Sequence, residues 1–137
     1  MNPPFQPLPP LVPNRRQKVS ALVFTCSGAA DVGELTDLAA RQLSRRGIAA
    51  MSCLASIGAR DEDITFNAML ADQILLIDGC PKACARRTFE QAGVQRAWLH
   101  FELSEIGLRK SRSPNTPENV QKVVNKATEV LAAAQKK

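Results

Sequence analysis

Residues 74–90, ILLIDGCPKACARRTFE, decide the fold. Four apolar residues, Ile74 to Ile77, run into Asp78-Gly79-Cys80, and beyond Pro81 a helix-forming pattern carries a second cysteine, Cys84. That order predicts a strand, a tight turn and a helix start. In an open α/β sheet such a junction lies at the edge where strand ends and helix N-termini converge on ligands. Two thiols stand there, and the flanking sequence says what could join them.

Upstream, residues 19–25, VSALVFT, are almost continuously apolar, as a strand covered on both faces requires. Cys26 ends that strand, and the small residues Ser27-Gly28-Ala29-Ala30 allow backbone to come close to a ligand. Asp31 and Glu34 have the spacing of a helix-start capping pair. Val32, Leu35, Leu38, Ala39 and Leu43 recur at helical spacing, and Arg45-Arg46-Gly47 supplies a cationic last turn with a glycine stop. Residues 48–54, IAAMSCL, read as a short second strand with Cys53 near its end. A small-residue turn follows, then a weaker helix through Ile64, Ala68 and Ala71.

Downstream, residues 96–103, RAWLHFEL, alternate. Ala97, Leu99, Phe101 and Leu103 share one face while Trp98, His100 and Glu102 share the other, which suits an edge strand. Thr116-Pro117-Glu118 is a cap, a first-turn proline and an acid favourable to the helix dipole. Beyond it, Val120, Val123, Val124, Ala127, Val130, Leu131 and Ala134 form an apolar stripe expected to pack on the sheet. The expected architecture is a single α/β domain over residues 18–137. It has an open, mostly parallel sheet of about four strands with helices on both faces, Rossmann-like or flavodoxin-like.

Composition bounds the function. The chain has 137 residues, 45% hydrophobic and 23% charged, ordinary values for one globular domain. A net charge of +5 with dispersed basic pairs gives no nucleic-acid signature, and with one Trp, five Phe and no Tyr there is little material for base stacking. No run of about 18 apolar residues spans a membrane. Residues 1–17 hold six of the nine prolines and read as an extended arm without the apolar core of a signal peptide. The default expectation is therefore a cytoplasmic protein, where four cysteines argue for metal or redox chemistry before structural disulfides.

The cysteines are spaced regularly. Cys26, Cys53 and Cys80 follow one another at intervals of 27 residues, each where a strand gives way to a loop and helix. Right-handed crossovers bring such strand ends to one sheet edge, and Cys84 joins them one turn after Cys80, which is expected at the cap of the same helix. Four thiolates around one centre suit tetrahedral zinc, or alternatively an iron–sulfur cluster. Lys82 and Arg86 could offset the charge or contact a small anionic ligand, with Ser27 and Asp78 as further polar contacts.

Two thiol readings compete. Cys80 to Arg86 has the Cys-x5-Arg spacing of cysteine phosphatases and some arsenate reductases, in which a loop cradles an oxyanion. Pro81 removes one backbone donor, no glycine lies between, and Arg87 takes the place of an assisting hydroxyl. A Cys80/Cys84 dithiol switch is the other reading. Asp78 and Asp31 are expected as turn and helix caps, His100 as a surface or half-buried strand residue and not a ligand, and Lys110 as a loop cation that could reach the site.

Four blocks in order, TCSGAADVGEL, MSCLASIGA, ADQILLIDGCPKACARRTFEQAG and SEIGLRK, resemble the DGC domain family, named for the triplet seen here as Asp78-Gly79-Cys80. The resemblance covers about residues 19–110. It implies zinc binding through four chelating cysteines, which map onto Cys26, Cys53, Cys80 and Cys84, and it supplies no substrate and no catalytic residue.

Overall fold

The computed structural model describes residues 21–135 of the 137, so the proline-rich arm lies outside the described residues. The chain runs β1 (Ala21–Thr25), α1 (Asp31–Arg45), β2 (Ala50–Met51), α2 (Leu54–Gly58), α3 (Glu62–Leu70), β3 (Gln73–Asp78), α4 (Cys84–Gln91), β4 (Leu99–Glu102), a 3-10 turn (Leu103–Ile106) and α5 (Pro117–Gln135). The strands form one sheet in the order β2-β1-β3-β4, and every pairing is parallel. This is the expected α/β architecture, with all four strands ending at the same edge and β4 as an edge strand.

The apolar runs explain both layers. β1 and β3 are buried on both faces and pair along five registered positions, from Ala21 with Gln73 to Thr25 with Ile77. On one face Val23, Leu75, Ile77 and Phe101 pack against Val32, Leu35, Ala39 and Leu43 of α1 and Val120, Val123, Val124 and Leu131 of α5. On the other, Leu22, Phe24, Ile74 and Leu76 meet Ile57 of α2, Ala68 of α3 and Phe89 of α4. Phe89 sits edge-on to Phe24 at 4.9 Å and to Trp98 at 5.5 Å between ring centres. Burying one such side chain is worth about 1.5–3 kcal/mol, so each face is stabilised by its own apolar layer.

Local structure departs from the sequence reading in several places, among them α2, a short helix where a small-residue turn is expected. β2 has two residues, not seven. The N–H groups of Ile48 and Ala49 both bond back to Leu43 O, so the ladder starts late; the Ser52 N–H still bonds Val23 O of β1, while the Met51 N–H points the other way, to Ser44 Oγ. Asp31 is the first residue of α1 and does not cap it; the N-cap is Ala30. Helix α4 begins at Cys84 and not directly after Pro81, because Ala83 takes a left-handed conformation at φ 51° and forms the N-cap. Cys80 therefore sits before the helix in a turn closed by the Ala83 N–H to Cys80 O at 3.0 Å. Finally, β4 ends at Glu102, and Leu103 opens the 3-10 turn, where Glu102 and Glu105 form a reciprocal capping box. The Thr116 cap is present, its hydroxyl accepting the Asn119 N–H at 3.2 Å.

Candidate metal and ligand site

The sheet order reverses at β1: β2 lies to one side and β3 to the other. The crevice above the carboxyl ends of β1 and β3 is therefore the topological switch point, the usual ligand position in this architecture. Its two loops are held against each other by backbone. The Cys26 N–H donates to Ile77 O at 3.2 Å, and the Gly79 N–H donates to Cys26 Sγ at 3.4 Å. A Cβ on Gly79 would stand 2.8 Å from the Val32 carbonyl carbon, and one on Gly33 would stand 2.5 Å from Gly28 O. The small residues here thus serve close backbone-to-backbone approach, which packs α1 down on both loops.

Above those loops lies a cavity of about 480 Å³ lined by Cys26, Cys80, Cys84, Asp78, Lys82 and Lys110, together with the start of α1. Three of the four cysteines share it. Cys53 lies elsewhere, exposed as the N-cap of α2, on a second and larger cavity of about 980 Å³ that Cys26 also borders. All four cysteines are free thiols. Among the described residues, no group of three or more His, Cys, Asp or Glu side chains stands close enough to hold a metal ion between them. Crossover topology thus brings Cys26, Cys80 and Cys84 to one cavity and leaves Cys53 on the neighbouring one with Cys26.

Asp78 is the organising residue of this edge. Its buried carboxylate accepts the N–H groups of Ala85 at 2.7 Å and Arg86 at 3.1 Å, and lies 2.9 Å from His100 Nε2. Ala83 offers no capping side chain, so Asp78 caps α4 from the end of β3 and fixes Cys84, the first residue of the helix. His100 is half-buried and faces Asp78 across the β3–β4 pair, a contact that alternation in the sequence did not disclose.

The other named residues separate. Lys82 lines the three-cysteine cavity, whereas Arg86 pairs with Glu90 at 3.7 Å along its own helix. Ser27 faces the larger cavity, where its hydroxyl donates to Asp37 at 2.8 Å. Lys110 does line the smaller one. A phosphatase-type cradle would need free N–H groups at the start of α4, and those of Ala85 and Arg86 are already given to Asp78. Sequence reasoning assigned no role to Glu102, which is registered beside Asp78 and 8% exposed. Its Oε2 accepts the Ser104 N–H at 3.0 Å and contacts the Ser104 hydroxyl, while its buried Oε1 has no partner among the described residues. Glu102 borders a recess of about 130 Å³ shared with Cys80 and Lys110. Only tertiary structure reveals it, since strand alternation places Glu102 on a face without saying what lies above.

Hydrogen bonding displaces several ionisable groups at this edge from their ordinary values, Cys53 and Asp31 among them. Hydrogen bonds from the Ser56 side chain and backbone hold the Cys53 thiol below its usual range against a smaller opposing push from burial, with Ala55 N–H assisting. Asp31 is held below the usual carboxylate range chiefly by the N–H groups of Ser111 and Ser113, at 2.9 and 3.0 Å, so it clamps the loop after β4 onto the start of α1.

Comparison with known proteins matches residues 22–127 to the family described as DGC domain. The match reaches further than residue 110, into α5. The chain is also 37% identical over 89 residues to the Pseudomonas aeruginosa protein named Anaerobic and virulence modulator AnvM, covering 65% of this chain and 67% of that one. No solved structure matches it. No helix among the described residues is long and apolar enough to cross a membrane.

Proposed function

This chain belongs to the DGC domain family, and from that footing we propose that it is a cytoplasmic metal-binding protein that uses Cys26, Cys53, Cys80 and Cys84 as thiolate ligands, with zinc as the metal. The observation that carries this reading is the convergence of Cys26, Cys80 and Cys84 on one cavity at the switch point. The donor chemistry fits: four thiols are a complete set for tetrahedral zinc. Three of the thiols line one cavity and Cys53 borders the next, so closing all four on one ion requires the side chains to draw together, Cys53 by movement of the loop before the five-residue α2.

Zinc in such a site supplies a soft cation that holds thiolates deprotonated. The chain's own residues supply the rest. Asp78 orients Cys84 through the α4 start, the Gly79 N–H faces Cys26 Sγ, and Lys82 and Lys110 offer positive charge beside a thiolate cluster. The fold does not need the metal as a substitute core, since each sheet face has its own apolar layer. A site at the ligand edge of a self-sufficient fold, with one ligand on a separate loop, favours sensing or metal handling over a purely structural ion. The name of the Pseudomonas aeruginosa relative describes a modulator, which favours the same role.

Metal analysis with an absorption spectrum on anaerobically purified full-length protein tests this. About one equivalent of zinc and no visible colour is expected. Brown colour with iron and sulfide would replace zinc by a cluster. Chelator-treated protein is expected to keep its fold; if it unfolds, the site is structural.

A further inference from the structure

The larger cavity carries Cys26 and Cys53 on its wall, but a metal ion accounts for little of its volume. It lies where β2 gives way to α2: β1 pairs with β2 at Leu22 and Val23, and the Ser52 N–H makes the last bond to Val23 O before the chain turns into the helix. The gap left between α1 and α2 measures about 980 Å³, the size of sites that take metabolite-sized molecules. From these walls we infer that this crevice is a binding site for a small organic anion with an apolar body, next to the three-cysteine cavity, with which it shares Cys26.

The α1 wall is cationic. Asp37, Arg41, Ser44 and Arg45 lie on one helical face and all border the crevice. Arg41 Nε donates to Asp37 Oδ2 at 2.6 Å, and Ser27 Oγ donates to Asp37 Oδ1 at 2.8 Å while lying 2.6 Å from Thr25 Oγ1. Both oxygens of Asp37 are thus engaged. The carboxylate holds Arg41 in place, and the guanidinium's terminal nitrogens are left for an anion. Arg45 forms no ion pair among the described residues. Two guanidiniums against one engaged carboxylate leave the wall positive, and guanidinium is the side chain best matched to planar recognition of carboxylate, sulfonate or phosphate.

Opposite stand Met51, Leu54 and Ile64, half-buried apolar side chains that each pack on one of the two cores. They suit the ligand's body, while the arginines suit its charge. Ser27 adds support. It is a non-glycine residue at φ 49°, a conformation costing on the order of 1–3 kcal/mol that persists where surrounding bonds over-determine it, as those to Thr25 and Asp37 do.

The probe is 8-anilinonaphthalene-1-sulfonate, an aryl sulfonate, titrated by fluorescence into the full-length chain in the presence of a chelator, so that the result stands whatever the metal reading's fate. Alkylation of Cys53, on the crevice wall, is followed in parallel by peptide mass spectrometry. Saturable binding that slows Cys53 alkylation is expected. In the Arg41→Gln/Arg45→Gln protein, affinity should fall about tenfold or more and the protection should vanish. Both positions are exposed on a helix that glutamine suits, so the variant folds. The dye's competing target is the exposed apolar face of α3 at Phe66, Met69 and Leu70. A Phe66→Ser protein is expected to bind as the wild type does. No binding, unchanged affinity in the arginine variant, or loss of binding in Phe66→Ser would each overturn the assignment.

Discussion

The two halves of the carboxyl edge are built differently. Above β1 and β3 the loops are locked: Gly79 passes the Val32 backbone with no room for a side chain, Cys26 is bonded to β3 through its N–H, and Asp78 ties β3 to α4 and to β4. Above β2 the ladder is two residues long and Cys53 caps a five-residue helix in open contact with solvent. The contrast teaches that a fold can bring four like residues to one edge and still divide them between a rigid half and an open one.

The largest test of the locked half is Asp78→Ala, which leaves the first N–H groups of α4 and the His100 ring without their buried acceptor. A loss of about 3 kcal/mol or more is expected from urea denaturation. A loss below about 1 kcal/mol would mean that Asp78 does not hold this edge together. Gly79→Ala should follow at about 2 kcal/mol, because its new methyl must displace the backbone of α1 and not a flexible side chain. By contrast, Cys53→Ser should leave stability within about 0.5 kcal/mol, as an exposed position does.

Metal affinity sharpens the comparison. Competition with a chromophoric chelator should show weaker zinc binding for Cys53→Ser as well as for Cys80→Ser, and faster metal release for the former. Unchanged affinity in Cys53→Ser breaks the four-ligand arrangement and leaves the other three thiols alone. Smaller again is the effect of Ser56→Ala. Removing the hydroxyl that holds the Cys53 thiol low should move its alkylation profile to higher pH and slow the reaction a few-fold at neutral pH, on the order expected when thiolate fraction falls. A profile that stays put would detach the thiol's reactivity from the α2 start.

The smallest effect belongs to Asp31. Its folded pKa lies below the unfolded value, so its contribution is fully present above the unfolded pKa of about 3.9 and is lost as pH falls through the folded value. Asp31→Asn should therefore flatten the acid side of the stability curve below about pH 4 and leave neutral behaviour little changed. Equal acid slopes in the two proteins would show that the clamp on Ser111 and Ser113 adds nothing in solution.

Much of the fold was legible because burial writes itself into runs and periods. The continuous apolar stretches before Cys26 and Cys80 are β1 and β3, and the stripe from Val120 to Leu131 is the buried face of α5. The regular cysteine spacing located the edge because strand–helix units have a characteristic length. What escaped notice depends on partners distant in sequence. Nothing local says that Leu43 will take the donors of Ile48 and Ala49 and so delay the start of β2. Asp78 capping a helix six residues on, Asp31 holding Ser111 and Ser113, and Asp37 steadying Arg41 are likewise contacts that a periodicity cannot carry. Ala83 in a left-handed conformation misleads outright, since glycine is the residue that usually marks such a bend.

The Asp-Gly-Cys triplet can be seen in another light, that of what substitution would permit. At its first position only a short acid reaches two helix N–H groups and an imidazole together; at its second only the absence of a side chain clears Val32. Its third residue, half-buried at the cavity wall, is under no such demand from the architecture: serine or alanine would fill the same turn. Two letters of the triplet answer to geometry and one answers to chemistry. A lineage that abandoned the chemistry would be free to change Cys80 first, while Asp78 and Gly79 stayed behind as the imprint of the fold.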